Sequence, residues 1–103
     1  MIATTDDIRE LLTKYPDTLL VVDCFAKWCG PCKRIAPHVE RLEEEFNNQI
    51  LVRTVDVDES DDFSEMMKVE AMPTFIFFKH MKEIDRVVGA DMNSVVRMIK
   101  TYL

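Results

Sequence analysis

The chemistry that this sequence offers centres on a cysteine pair in the segment Cys29-Gly30-Pro31-Cys32. At the first turn of a helix this spacing brings two Cα atoms roughly 5 to 6 Å apart, which suits a disulfide. The attacking species in thiol chemistry is the thiolate, and a helix N-terminus stabilises that anion, lowering a thiol's pKa from about 8.5. The pair therefore predicts reversible thiol-disulfide exchange, with Cys29 as the nucleophile and Cys32 as the resolving thiol.

The two residues between the cysteines suit an exposed redox turn. Gly30 lets the backbone of a partner approach closely, and Pro31 stands at a first-turn position that needs no amide hydrogen. The alternative is a zinc site, because a CxxC pair also binds that metal. Zinc normally takes four ligands, and the only further candidates are Cys24, His38 and His80. Without a second CxxC or a His pair, we expect no metal.

The elements that must position this pair alternate between helix and strand. Apolar residues at helical spacing, preceded by capping residues, predict helices. They cover residues 7–15, 31–46, 61–68 and the segment that starts at Asp91 or Asn93, and Thr5 or Asp6 is expected to cap the first. Runs rich in β-branched residues predict strands. They cover residues 19–25, 50–57, 74–78 and 84–88.

The order of these elements predicts an α/β fold. The first two strands flank the helix over 31–46, which predicts a βαβ unit with a parallel pair. The last two strands are separated by a polar turn over residues 79–83 and should form an antiparallel hairpin. We therefore expect a mixed sheet with helices on both faces, in a single domain over residues 1–103.

The 19–25 run is continuously apolar apart from Asp23, which is typical of a strand buried on both faces. Burial disfavours a charged carboxylate, so Asp23 should have a raised pKa and act as a proton acceptor near neutral pH. The alternative is a strand-end carboxylate that reaches solvent. The adjacent Cys24 predicts a buried, inert thiol, and an exposed thiol open to intermolecular disulfides is its alternative.

Charge and hydropathy exclude several classes of function. The formal charge of −6 comes without any basic stripe, so we expect no nucleic-acid binding. The longest apolar run, Leu19 to Val22, is too short for a membrane span or a signal peptide, which predicts a cytoplasmic protein without a membrane partner. The acidic run from Asp56 to Glu65 lacks the glycine and distal glutamate of a calcium loop and is interpreted as solvated surface.

Several segments resemble the thioredoxin family of the eukaryotic type, in the same order and at compatible distances. They are Val21-Val22-Asp23, Ala26 to Lys33, Ile35-Ala36-Pro37, Val55 to Asp58, Ala71 to Phe75 and Gly89-Ala90. WCGPC followed about forty residues later by MPTF is a highly specific combination. The resemblance implies the thioredoxin fold, a central mixed four- to five-stranded sheet flanked by four helices.

The resemblance also implies roles for particular residues. Asp23 would help to deprotonate Cys32. Pro73 would be a cis-proline that packs beside the dithiol, keeps metal ions away and lets the backbone of residue 71 pair with a bound substrate. An apolar substrate-binding surface is implied as well. Its residues are Trp28, Ala71, Met72, Val88, Gly89 and Ala90.

The activity that the resemblance implies is protein-disulfide reduction, which maintains cell redox homeostasis. The protein would bind no cofactor and would receive electrons from NADPH through thioredoxin reductase. Its clients would be disulfide-containing proteins such as peroxiredoxins, and it would act as a monomer. Two other readings stay open. A disulfide isomerase usually carries histidine in place of Pro31, and a redox-silent docking module would not need the dithiol.

Three departures from the family pattern affect details. Ala71 stands where many animal thioredoxins have a further cysteine, and Met81 replaces a glycine of the hairpin turn, so that turn is expected to differ in shape. Residues 1–3 leave little for the family's first strand, which we expect to be frayed or missing.

Overall fold

The computed structural model describes residues 2–103, and its elements follow the predicted order. The helices are α1 (Thr5–Lys14), α2 (Gly30–Glu45), α3 (Asp61–Met66) and α4 (Met92–Tyr102). The strands are β1 (Leu20–Phe25), β2 (Leu51–Asp56), β3 (Thr74–Lys79) and β4 (Lys82–Val88).

The strands form one mixed sheet in the order β2-β1-β3-β4. β1 pairs in parallel with β2 and antiparallel with β3, and β3 pairs antiparallel with β4. The predicted βαβ unit and hairpin are thus confirmed. Ile8 of α1 and Phe63 of α3 belong to one buried cluster, whereas Val39 of α2 and Val95 of α4 belong to another. Because β1 contributes to both clusters, its burial on two faces is confirmed.

Among residues 2–103, the expected first strand is reduced to one isolated bridge at the outer edge of β2, between Ile2 and Thr54. The neighbouring edge groups are satisfied by side chains. The N–H of Val52 donates to Glu43 Oε2 over 2.6 Å, and the carbonyl of Val52 accepts from Arg53 Nη1 over 2.8 Å. The ion pair of Glu43 and Arg53 therefore closes an edge that would otherwise be open to strand pairing. Any pairing of Met1 lies outside the described residues.

Two predicted helix ends were wrong. The cap of α1 is Thr4, rather than Thr5 or Asp6. Its Oγ1 accepts from the N–H of Asp7 over 3.2 Å, and its own N–H donates to Asp7 Oδ2 over 2.9 Å, because this reciprocal pair requires an acid three residues after the cap. Helix α3 ends earlier than expected, because Lys68 adopts a left-handed φ of 54°.

The β3-β4 turn is tighter than the predicted turn over residues 79–83. Lys79 pairs with Lys82, so only two residues, His80 and Met81, form the turn. Their φ angles are 55° and 65°, values in the left-handed region. Two-residue hairpins with positive φ at both positions normally use asparagine or glycine. The turn keeps this geometry although it contains no glycine, at a conformational cost to Met81.

Met81→Gly should therefore stabilise the protein by about 0.5 to 1 kcal/mol, because glycine adopts positive φ without steric cost. The midpoint of guanidinium denaturation, measured on the oxidised protein, tests this change. Lys82→Gly is the matched control, since the same substitution in strand β4 should lower the midpoint. A midpoint for Met81→Gly at or below that of the native chain would contradict the expectation.

Candidate active site

The dithiol lies at the start of α2, as predicted. Cys29 is the N-cap of this helix, and Pro31 occupies its first turn. Cys29 and Cys32 form a disulfide with their Cα atoms 5.3 Å apart. The backbone N–H of Cys32 donates to Cys29 Sγ over 3.1 Å. After reduction the same amide, at the positive end of the helix dipole, is placed to stabilise a thiolate at Cys29.

Access to the sulfurs is narrow. Cys29 is 4% exposed and Cys32 is 5% exposed, whereas Gly30 and Pro31 between them are exposed. A Cβ added at Gly30 would meet no atom within 4 Å, so the turn faces open space. A client disulfide can reach Cys29 only if its own backbone docks closely against this turn.

A cis peptide bond between Met72 and Pro73 lies beside the dithiol. The carbonyl oxygen of Met72 is 3.7 Å from Cys29 Sγ, and Pro73 is buried. The carbonyl of Ala71 instead accepts a hydrogen bond from Thr74 Oγ1. The backbone carbonyl near Cys29 Sγ is therefore that of Met72, and the pairing of a substrate with the backbone of residue 71, which the resemblance implies, stays a prediction.

Asp23 is a buried acid of strand β1. It is 4% exposed, so the alternative of a carboxylate reaching solvent was wrong. Burial raises the pKa of Asp23 from 3.8 to about 7. Among residues 2–103, its Oδ1 has no hydrogen-bond partner. Asp23 and Cys32 line the same cleft, so a carboxyl group with a near-neutral pKa shares that space with the second cysteine of the pair.

This burial predicts a stability change with pH. Between pH 3.8 and about 7, folded Asp23 retains a proton that the unfolded chain releases, so stability falls as the pH rises through this range. The loss reaches at most about 4 kcal/mol above neutral pH, at about 1.4 kcal/mol for each tenfold change in proton affinity. Asp23→Asn should remove this dependence and gain stability over the native chain mainly at alkaline pH.

Denaturation of both proteins at about pH 5 and about pH 8 measures this difference in stability. The oxidised forms are used because disulfide-bonded cysteines do not titrate. Glu44→Gln, at an exposed position of α2, is the matched control and should follow the native pH dependence. If stability changes with pH in the same way in Asp23→Asn and in the native chain, the buried acid is not the cause of the pH dependence.

Acidic residues after β2 accept hydrogen bonds from the two residues that precede Cys29. The indole Nε1–H of Trp28 donates to Asp58 Oδ2 over 2.9 Å, and Lys27 Nζ donates to Glu59 Oε1 over 3.0 Å. Asp56 is buried, and its Oδ1 accepts from the N–H of Asp58. The prediction of a solvated acidic face was therefore wrong for Asp56, and it missed the two anchoring contacts. The parallel pairing of β1 with β2 was the available signal, since their C-terminal ends must meet.

The surface residues implied by the resemblance are exposed or partly exposed. Trp28 is 68% exposed and Val88 is 61% exposed, so Trp28 is not a core residue. The N–H of Gly89 donates to the carbonyl of Pro73 over 2.8 Å, which ties the end of β4 to the cis-proline. Ala71 is exposed, and Met72, Gly89 and Ala90 are partly exposed.

The third cysteine is separate from this chemistry. Cys24 is a free, fully buried thiol whose pKa is raised to about 12, first by burial. The prediction of a buried thiol is confirmed. Within residues 2–103, no three His, Cys, Asp or Glu side chains gather as a metal site. Over the same range, no helix has the length and apolar character needed to cross a membrane.

Cys29 and Cys32 form a disulfide at the start of a helix, in a domain built on this mixed sheet. This arrangement places the chain in the class of thiol-disulfide oxidoreductases. The fold, with its four helices and four-stranded mixed sheet, is the thioredoxin fold. The family model described as Thioredoxin matches residues 1–101. The chain belongs to the thioredoxin family.

Individual relatives agree with this assignment. The chain is 46% identical over 83 residues to Thioredoxin-2 of Saccharomyces cerevisiae, covering 81% of this chain and 79% of that protein. The solved structure of Fasciola hepatica thioredoxin is similar with a TM-score of 0.94 at 40% identity, covering 99% of this chain and 98% of the other.

A second solved structure similar to the chain concerns the thiol resolving mechanism of a yeast mitochondrial 1-Cys peroxiredoxin via glutathione and thioredoxin systems. It matches with a TM-score of 0.88 at 32% identity, covering 98% of this chain and 93% of that chain. The chain spans 62% of the length of Thioredoxin-T of Drosophila melanogaster, to which it is 35% identical over 97 residues.

Proposed function

We propose that this protein reduces disulfides in client proteins and is itself returned to the dithiol by a thioredoxin reductase that draws electrons from NADPH. The observation that carries the proposal is the disulfide between Cys29 and Cys32, with the Cys32 amide directed at Cys29 Sγ. Both electrons of each turnover reside in this pair, so the chain needs no bound cofactor of its own.

The reaction consists of two exchanges. In the first, the Cys29 thiolate attacks a client sulfur, a mixed disulfide forms, and the other client sulfur leaves as a thiolate. In the second, Cys32 loses its proton and attacks Cys29 Sγ, the mixed disulfide breaks, and the remaining client sulfur leaves. The client gains two electrons and the Cys29-Cys32 pair loses them. Residue 32 lies one helical turn beyond residue 29, so the second attack needs little movement.

Buried Asp23 is the group we propose to accept the proton of Cys32. Its raised pKa and its position on the cleft shared with Cys32 support this role. For substrate binding we propose the exposed apolar surface beside the nucleophile, with the Met72 backbone next to the sulfur and Pro73 holding that backbone in place. Its residues are Trp28, Ala71, Met72, Val88, Gly89 and Ala90.

The wider setting is also a proposal. We infer a cytoplasmic monomer in which residues 1–103 act as a single domain, and the family match over residues 1–101 supports this inference. We also infer that the protein binds neither nucleic acid nor membranes, which its formal charge of −6 supports. Peroxiredoxins are proposed as one client class, because a similar structure concerns a peroxiredoxin and thioredoxin systems. The role in cell redox homeostasis follows from these clients.

A coupled assay tests the central proposal. NADPH, a thioredoxin reductase and insulin are combined, and NADPH oxidation is followed with and without the chain. Reductase without the chain is the control. We expect insulin-dependent NADPH consumption only when the chain is present. Absence of turnover with the reductase, together with absence of turnover when dithiothreitol replaces it, would contradict the reductase function.

Asp23→Asn should slow the release of a client from the mixed disulfide by about 10- to 100-fold while leaving the first attack nearly unchanged. The physical reason is that an amide cannot accept the proton of Cys32. Rapid-quench measurements of both steps across neutral pH provide the test, and the native release rate should rise as Asp23 ionises near its pKa of about 7. A release step with the native rate and native pH profile would dismiss proton transfer to Asp23.

A further inference from the structure

The exposed indole of Trp28 is held by a hydrogen bond to the turn that follows β2. Trp28 is 68% exposed, and its Nε1–H donates to Asp58 Oδ2 over 2.9 Å. Asp58 is itself exposed and lies in that turn, which covers residues 57–59. The orientation of the indole, next in the chain to Cys29, therefore depends on how firmly the turn is held.

Asp56 holds the backbone of this turn from the interior. It is 1% exposed, and its Oδ1 accepts from the N–H of Asp58 over 2.9 Å. Its carbonyl accepts from the N–H of Ser60 over 2.8 Å. A buried carboxylate is stable only when it is paired or hydrogen-bonded. A cation that pairs with Asp56 therefore also supports the turn.

Lys27 is that cation. Its Nζ lies 3.0 Å from Glu59 Oε1 and 4.0 Å from Asp56 Oδ2, and among residues 2–103 it is the only basic group paired with either acid. The pKa of Lys27 is raised, first by its hydrogen bond to Glu59, so the ammonium stays charged at neutral pH. Because the two acids lie on either side of Asp58 in the chain, Lys27 braces the turn on both sides of the acceptor of the indole.

We propose that Lys27 is a positioning residue for client docking, which holds the Trp28 indole through the turn after β2 in the orientation that receives a client protein. Fixing an exposed side chain before a partner arrives lowers the entropic cost of docking. A small disulfide that does not cover the indole gains nothing from this. The inference rests on the proposed reductase function and adds to it a residue outside the dithiol.

The indole N–H signal gives a test that does not depend on activity. Trp28 is the only tryptophan of the chain, so this signal is unambiguous in ¹⁵N-labelled protein. In Lys27→Met it should move upfield, because the hydrogen bond to Asp58 weakens when the turn shifts. Lys27→Arg keeps the charge and should bring the signal back towards its native position. An unchanged signal in Lys27→Met would overturn the proposal.

Lys33→Met is the matched control. Lys33 is exposed in the first turn of α2, directly after Cys32, and it takes part in none of the ion pairs found within residues 2–103. The substitution removes the same charge near the dithiol, and the indole signal should keep its native position. Because an exposed ion pair contributes little to stability, both variants should fold, which circular dichroism checks.

Rates of the first attack separate docking from chemistry. The reduced protein is mixed with insulin and, separately, with hydroxyethyl disulfide, which is small and uncharged. Lys27→Met should react with insulin about three- to fivefold more slowly than the native chain, and with the small disulfide at the native rate. Equal falls with insulin in Lys27→Met and Lys33→Met would show an effect of net charge alone and overturn the proposal. A fall with both disulfides would place the effect on the Cys29 thiolate and contradict positioning.

Glu59→Ala breaks the same ion pair from the acidic side and leaves the ammonium of Lys27 in place. Positioning predicts a shifted indole signal and slower reaction with insulin, as in Lys27→Met. A direct action of the ammonium on Cys29 or on the client predicts a native or faster rate, and that result would refute the proposal. The double variant Lys27→Met/Glu59→Ala should be no slower than the slower single variant, because both changes remove one contact.

Failure of the reductase function is visible separately in these experiments. If the native chain does not react with insulin, the reductase function itself is wrong. If the native chain reacts and Lys27→Met reacts equally fast, only the positioning role of Lys27 is contradicted.

Discussion

Cys29→Ser is expected to reduce insulin-reducing turnover by at least about 1,000-fold. The physical reason is that the Cys32 amide and the N-terminus of α2 can stabilise a thiolate at residue 29, whereas a serine hydroxyl stays protonated at neutral pH. Cys32, the other thiol of the pair, lies inside the first turn of α2 rather than at its N-cap, where the helix amide meets the sulfur, so we expect that it does not replace the nucleophile. The coupled NADPH assay measures the loss.

Cys24→Ala is the matched control for this experiment. Cys24 is a thiol of the same chain, fully buried, with a pKa raised to about 12, so it should contribute nothing to exchange. Turnover per folded molecule should stay near the native value in this variant. Circular dichroism of Cys29→Ser should confirm a native fold. Substantial turnover by folded Cys29→Ser would refute the assignment of the nucleophile.

Cys32→Ser is expected to accumulate mixed disulfides with clients and to lower multiple-turnover reduction by at least about 100-fold. Serine at residue 32 keeps the backbone N–H that donates to Cys29 Sγ, so the first attack should continue. The side chain that breaks the mixed disulfide is missing, so the client stays attached. Intact-mass spectrometry should show the mass of the chain plus one client after a single exposure.

The double variant Cys29→Ser/Cys32→Ser controls for adducts formed elsewhere on the chain. It should form none, since the only other thiol is the buried Cys24. Adducts that persist in the double variant would implicate Cys24 and contradict attack by Cys29. Client release from Cys32→Ser at the native rate would contradict the resolving role of Cys32.

Cys29→Ser blocks the formation of the mixed disulfide, and Cys32→Ser blocks its resolution. Asp23→Asn tests the resolving step in a second way. In Cys32→Ser the second step lacks its nucleophile, whereas in Asp23→Asn the nucleophile is present but its proton acceptor is absent. The two proteins should therefore form the same adduct, permanently in the first and transiently in the second. An adduct seen only in Cys32→Ser would indicate another proton acceptor.

Much of the fold could be predicted from local sequence patterns. The β-branched run before Cys29 predicted a doubly buried strand, and helical spacing after it predicted α2, because both periodicities are set by the element's own geometry. Boundaries were less predictable. The α1 cap depended on which threonine had an acid three residues later, and the hairpin turn depended on whether Met81 could adopt positive φ.

For the site as well, features that depend on local contacts were predictable from the sequence, and those that depend on distant contacts were not. Cys29 and Cys32 lie within one helical turn, so their spacing alone determined that they could form a disulfide at a helix start. The family resemblance supplied the cis bond at Pro73, which the structure contains. Which backbone carbonyl lies near the sulfur depends on packing between distant segments, and the carbonyl of Met72 has that position.

By itself, then, the sequence determined the reactive pair, the helix that presents it and the α/β order of the elements, because these depend on residues close together in the chain. The tertiary structure decided between the two expectations for Asp23, which is buried, and it alone produced the anchoring of Trp28 by Asp58. It also decided the closure of the β2 edge by Glu43 and Arg53. Each of these depends on which distant segments pack together, and strand pairing and helix docking set that packing for the whole chain at once.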